Sequence, residues 1–370
     1  MRTILRLLAS RFVVVVVALM MVLGLPMASL PVQAADASDY RAASSFSRSH
    51  EYRLGAVSEQ TEATSLGTAA ASIQSDDFNS CTLDPRWEFI NPLNDGTVTT
   101  NGTQVLLSVP EGISHNVFDA GIPAPRIMQM VSDTDFEIVV KFESEMAHRF
   151  QVQGIIIEQD IEPGAEDFIR FDYYHDGTNY HVFALSVRNG VPLSQIDVIV
   201  TPSGTDSYLK IQRAGNVWTE SYSFDNVHYT SRNFTLTTPF TVTKVGLFAA
   251  NHGSATIPAH TAVIDYFFNT AAPIVKEDGK PTTLTTKVDP PGAGTVTLID
   301  PAGQTNFACG DQITLSAAST NGLLFNGWSG ATTSTANPVT FAYEMGAVVT
   351  ANFVQTQNQN LLYLPLITKN

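Results

Sequence analysis

The most chemically suggestive run in the chain is Glu158-Gln159-Asp160-Ile161-Glu162. On a strand, side chains alternate between faces, so the three carboxylates would share one face. A retaining glycosidase needs two carboxyl groups about 5 Å apart, one as nucleophile and one as acid/base. Pro163-Gly164 follows at once, and Glu166 and Asp167 continue the acidic run. Glu162 is therefore expected at a turn, in a solvated acidic hairpin that could take a cation. Glycoside hydrolysis by Glu158 and Glu162 stands as the alternative reading. The sequence has no G-x-S-x-G, no H-E-x-x-H and no glycine-rich phosphate loop. The expected protein is not an enzyme.

Sugar binding asks for something else: flat aromatic faces for C–H groups, and planar amide, guanidinium or carboxylate groups for hydroxyl pairs. Period-two patterning places Gln151, Gln153, Arg170, Asp172, Tyr174 and Arg188 on outward positions of consecutive strands. Arg126 and Asn251 are read as bordering loops. These residues form the candidate ligand face. The competing reading of Arg170 and Asp172 is an ion pair within one strand. Calcium needs several oxygen ligands. Pairing of the first and last strands would bring Asp76 or Asp77 toward Asp265, with Asp77 and Asp265 the candidate structural calcium site. A surface carboxylate paired with Arg or Lys is the competing reading there. Trp87 and Trp328 read as core anchors, and the side taken by Trp218 stays open.

The elements that must carry these groups are short β-rich runs between turn residues, such as Phe136-Phe142, Phe168-Tyr174, Tyr208-Arg213 and Ala262-Phe268. Asp176-Gly177 and Ala214-Gly215-Asn216 mark hairpin turns. No helical period longer than two turns is present. This texture predicts an all-β sandwich over residues 75–270. A Pro/Lys/Asp-rich linker (271–282) leads to a second small β unit at 283–354. A polar spacer and an apolar tail occupy 355–370.

The beginning of the chain reads as an export signal at 1–34. Arg2, Arg6 and Arg11 precede an apolar run with five valines from Val13 to Val17, and Val32-Gln33-Ala34 offers a cleavage site. Residues 35–74 are rich in Ala, Ser, Thr and Glu and read as a disordered leader. The formal net charge of −15 argues against nucleic acid and anionic membrane as partners. Export permits one disulfide between Cys81 and Cys309. A bridge clamping two domains and two separate thiols both remain open.

Two resemblances sharpen this. Asp76-Asp77-Phe78-Asn79 through Trp87, then Tyr208–Asn216 with Tyr222-Ser223-Phe224-Asp225, then Val245–Ala249 with Val263–Phe267, resemble concanavalin A-like and laminin G-like sandwiches, including the β-xylosidase C-terminal type. The resemblance implies a jelly-roll sandwich found on secreted glycan-active proteins. Val288–Val296, Cys309-Gly310-Asp311, Phe325–Gly330 and Val349–Phe353 resemble a bacterial surface repeat of the internalin B-repeat type, which implies a small β-grasp-like spacer. The expected protein is a secreted or cell-surface carbohydrate-binding or adhesion protein of a bacterium, with a polysaccharide or surface glycan as partner. A structural module that binds another protein is the third reading.

Overall fold

The computed structural model describes residues 71–118, 121–159, 167–253, 256–279, 282–320 and 322–355. These residues fall in one compact unit. Every regular element among them is a strand. In chain order they are β1 (Glu88–Ile90), β2 (Thr97–Thr100), β3 (Val105–Val109), β4 (Arg126–Met130), β5 (Phe136–Phe142), β6 (Gln151–Gln159) and β7 (Asp167–His175). Then come β8 (Tyr180–Arg188), β9 (Val191–Val200), β10 (Ser207–Ala214), β11 (Val217–Ser223), β12 (Thr230–Thr235), β13 (Lys244–Asn251) and β14 (His260–Asn269). The last six are β15 (Thr285–Asp289), β16 (Gly294–Asp300), β17 (Gln312–Ser319), β18 (Leu324–Gly330), β19 (Val339–Ala342) and β20 (Val348–Val354).

The first fourteen strands build two seven-stranded antiparallel sheets. One runs β1-β4-β13-β6-β7-β8-β9 and the other β12-β11-β10-β5-β14-β3-β2. Their inner faces meet in one apolar core that holds Val140, Phe142, Ile155, Phe171, Leu209, Ile211, Trp218, Leu247 and Phe267. The hairpin turns form where expected. Gly177 and Gly215 sit at φ +102° and +60°, a region glycine enters without a Cβ clash. Trp87 and Trp328 are core residues, and Trp218 resolves inward with no exposed surface.

The last six strands form two three-stranded sheets, β15-β20-β18 and β16-β17-β19, with β15 and β20 parallel. Their core gathers Phe307, Ile313, Leu315, Trp328, Tyr343 and Phe353.

The export signal, the leader up to residue 70 and the C-terminal tail from residue 356 lie outside the described residues.

Candidate functional site

The outer face of the first sheet corrects the expected ligand face. Alternation in β7 is as read: Ile169, Phe171 and Tyr173 point to the core, and Arg170 and Asp172 point the other way. That other face is sealed. Val117, Ile122 and Ala124 of the β3–β4 connection join Val152, Ile156, Phe168, Phe183, Leu185 and Phe248 in a second apolar cluster. Arg170 and Asp172 are 2 % and 0 % exposed. The Arg170 Nε lies 3.2 Å from Asp172 Oδ2, and its guanidinium stacks over Phe183 at 4.9 Å. Burial outweighs the Arg170 charge and pushes the Asp172 carboxyl up to about 7. The ion-pair reading of these two residues is the one the geometry matches.

Gln151 and Gln153 are corrected differently. The sequence QVQGIIIEQ is apolar on both sides, so its alternation gives no phase. In the structure Val152 and Ile156 take the outer face, and both glutamines take the inner side and are buried. There they carry the β5–β6 loop. Gln151 Oε1 accepts from the N–H groups of Ala147 and His148, and its Nε2 donates to the Ala259 carbonyl at 2.7 Å. Gln153 Oε1 accepts from the Ser144 hydroxyl and lies 3.0 Å from His260 Nε2.

The remaining expected ligand residues are structural or peripheral. Tyr174 is half-buried, with its hydroxyl 3.1 Å from His181 Nδ1. Arg188 pairs with Asp167 at 2.8 Å and donates to the Pro239 carbonyl. Arg126 lies on β4 rather than in a loop and is buried. Its Nε meets Glu158 Oε1 at 2.5 Å, and its Nη1 donates to the carbonyls of Ile122 and Ala124. Asn251 is buried at the end of β13 and bonds the carbonyls of Pro110 and Pro258. Glu158 is 1 % exposed, and Glu162 lies outside the described residues.

The expected calcium residues Asp77 and Asp265 both act electrostatically on Glu277. Asp76 bridges to Phe267, so the first and last segments of the sandwich do pair. Asp77 caps its own turn by accepting from Asn79 N–H at 3.2 Å. Asp265 occupies a bulge in β14 between Ile264 and Tyr266, which turns it away from the regular alternation. It meets Lys141 Nζ at 2.8 Å. Among the described residues, Asp265, Glu277 and Asp278 can each place one carboxylate oxygen within 4.8 Å of the others. Burial, and then the negative charge of Asp265, push the Glu277 carboxyl up to about 7. A cationic group, Lys141, already stands among these carboxylates.

Open, polar-lined space lies at one end of the sandwich. The β5–β6 loop there rises between two cavities. One, of about 530 Å³, is lined by Ser144, Glu145, Tyr173, Tyr180, Thr205, Ser207 and Phe224. The other, of about 810 Å³, is lined by Glu111, Glu145, His148, Arg149, Phe150, His252 and Ile257. Glu145, Ala147, His148 and Arg149 are exposed. The loop is held on both flanks. Tyr180 Oη accepts from Met146 N–H at 2.6 Å. Phe150 N–H donates to the His175 carbonyl, and the Phe150 carbonyl accepts from His252 N–H. These two bonds hold Phe150 at φ +61°. For a bulky residue that is an outlier costing about 1–3 kcal/mol. The Arg149 guanidinium lies 4.4 Å above the Phe150 ring. Period-two reasoning has nothing to count in the β5–β6 loop, so Glu145, His148, Arg149 and Phe150 gave no signal, whereas Tyr173 and Phe224 lie in quoted runs.

Residues 284–357 match the divergent InlB B-repeat domain family. No curated protein matches the chain. Among solved structures, the chain is similar to a functionally unknown protein of Saccharomyces cerevisiae, at 11 % identity and TM-score 0.40, over 50 % of this chain and 96 % of that one. It is similar to the GH43 protein BlXynB of Bacillus licheniformis at 18 % identity and TM-score 0.41, over 52 % of this chain and 38 % of that one. A seed lectin of Lotus tetragonolobus shares 14 % identity at TM-score 0.36, over 52 % of this chain and 96 % of the lectin.

The C-terminal unit is bound covalently to the sandwich. Cys81 and Cys309 form a disulfide that spans 228 residues of sequence, which settles the pairing left open above. Gly102, at φ +100°, sits against the C-terminal unit so closely that a Cβ would lie 2.7 Å from Met345 and 2.9 Å from the Cys309 sulfur.

Proposed function

We propose that this is an exported bacterial surface protein that binds glycan without cleaving it, and that the sugar sits at the loop end of the sandwich. The observation that carries the reading is the pair of cavities beside the β5–β6 loop. Each falls within the roughly 300–1,000 Å³ range of small-ligand pockets. The first offers the Phe224 and Tyr180 rings beside the hydroxyls of Ser144, Thr205 and Ser207. The second offers Arg149 and Phe150 already stacked. Aromatic faces with hydroxyl and guanidinium neighbours are the chemistry sugars require.

The resemblance of residues 76–269 to concanavalin A-like modules supports the carbohydrate reading. The signal-like start and the B-repeat match support placement at the cell surface. Absence of catalysis is supported by Glu158, whose carboxylate is sealed against Arg126 instead of facing a cleft.

The test is a glycan array probed with the full chain, followed by a reducing-sugar assay on each glycan retained. Binding to at least one polysaccharide with no sugar released is the expected result. An array without a positive spot removes the reading, and released sugar removes its non-catalytic part.

A further inference from the structure

We infer that the two cavities form one track, and that the ligand is the interior of a linear, uncharged polysaccharide rather than a terminal sugar. This rests on the loop-end reading above and specifies its ligand.

Continuity is the first argument. Glu145 and Ala147 line both cavities, so the spaces meet across the tip of a single loop. A pocket for a chain end needs a wall where the ligand stops. Here the shared boundary is two exposed side chains. The track runs from Pro202, Gly204 and Phe224 on one side to Ile257 and Pro258 on the other.

Rigidity is the second. Met146 is tied to Tyr180, Ala147 and His148 to Gln151, and Phe150 to His175 and His252. A loop fastened at nearly every residue does not close over a ligand. It acts as a fixed saddle, and a polymer crosses a saddle without either end being read.

Charge is the third. Glu111 and Glu145 line the track, one of them at its centre, in a chain of net charge −15. An anionic polysaccharide would meet like charge in the middle of its path. Arg149 is engaged with the Phe150 ring, where it extends a flat platform for a neutral ring.

Length dependence tests this directly. Isothermal titration of the full chain would use cellohexaose, xylohexaose, mannohexaose and laminarihexaose, each beside its trisaccharide. At least one hexasaccharide should bind about tenfold or more tighter than its trisaccharide. Phe224→Ala in one cavity and Arg149→Ala in the other should each bring hexasaccharide affinity down to the trisaccharide level. Reduction of the ligand's terminal aldehyde should leave affinity unchanged. Equal affinity for trimer and hexamer, or sensitivity to the reduced end, overturns the track while the glycan-binding reading stands. One silent variant beside one strong one likewise confines the ligand to a single cavity. Preference for polygalacturonate over the neutral hexamers overturns the charge argument. Failure of all four hexasaccharides to bind overturns the track, while the glycan-binding reading falls only with an array that has no positive spot.

Discussion

The outer face of the first sheet and the loop end of the same sandwich carry similar residues to opposite effect. Each has arginine, carboxylate and aromatic groups close together. On the sheet face, Arg126, Glu158, Arg170 and Asp172 are paired and covered by apolar side chains from the β3–β4 connection. At the loop end, Glu145, His148 and Arg149 stand in water beside cavities. Residue type therefore does not separate a binding face from a buried ion pair. What separates them is whether another segment of chain lies on top.

The contrast can be broken most forcefully at Arg126. Arg126→Ala would take a charged partner from buried Glu158, and removing one member of a buried pair costs about 3–5 kcal/mol. Urea unfolding should show a loss of that size, with glycan affinity at the loop end unchanged in the folded fraction. A loss below about 1 kcal/mol, the value of a surface pair, would mean that the face is wet and the contrast false.

A second test uses Glu220, which is fully buried in the core with neither carboxylate oxygen hydrogen-bonded. Burial, and then the Asp172 charge, hold its carboxyl well above the usual range. An unsatisfied buried polar group costs about 1–3 kcal/mol. Glu220→Met keeps the volume and removes the orphan atoms, so it should stabilise the protein by about that amount. A destabilised variant would show that the carboxyl has a function in the core.

A third test reads a slope. Asp172 holds its proton up to about pH 7 when folded, against an ordinary value of 3.8. The folded state thus binds the proton more tightly. Its contribution to stability is fully present below about pH 4 and is lost as pH rises toward 7. Asp172→Asn should flatten that part of the stability profile. An unchanged profile would mean that Asp172 titrates as an exposed carboxylate does.

Much of the sandwich was legible in the residues, and the gaps have physical causes. β5 and β10 alternate because one face is buried and the other is more open, whereas β7 alternates in residue type with both faces buried. β4 was missed because RIMQM is buried on both sides and shows no period. β12 was missed for the opposite reason: TSRNFT is a polar edge strand with only Phe234 buried. β9 escaped because Pro192 argues against a strand, yet β9 is the sheet edge, where proline is tolerated. Of the expected site residues, Gln151 and Gln153 lie directly beneath the candidate loop but support it instead of facing ligand.

Local pattern by itself determined the all-β class, the hairpin turns and the inward set Ile169, Phe171 and Tyr173. Those follow from the two-residue repeat of an extended chain, which is a property of neighbours in sequence. Only the tertiary structure decided that Arg170 is covered, that Cys81 meets Cys309, and that Phe224 and Arg149 edge two cavities beside one loop. Coverage and convergence depend on segments tens to hundreds of residues apart, and no spacing along a single strand encodes which of them will arrive.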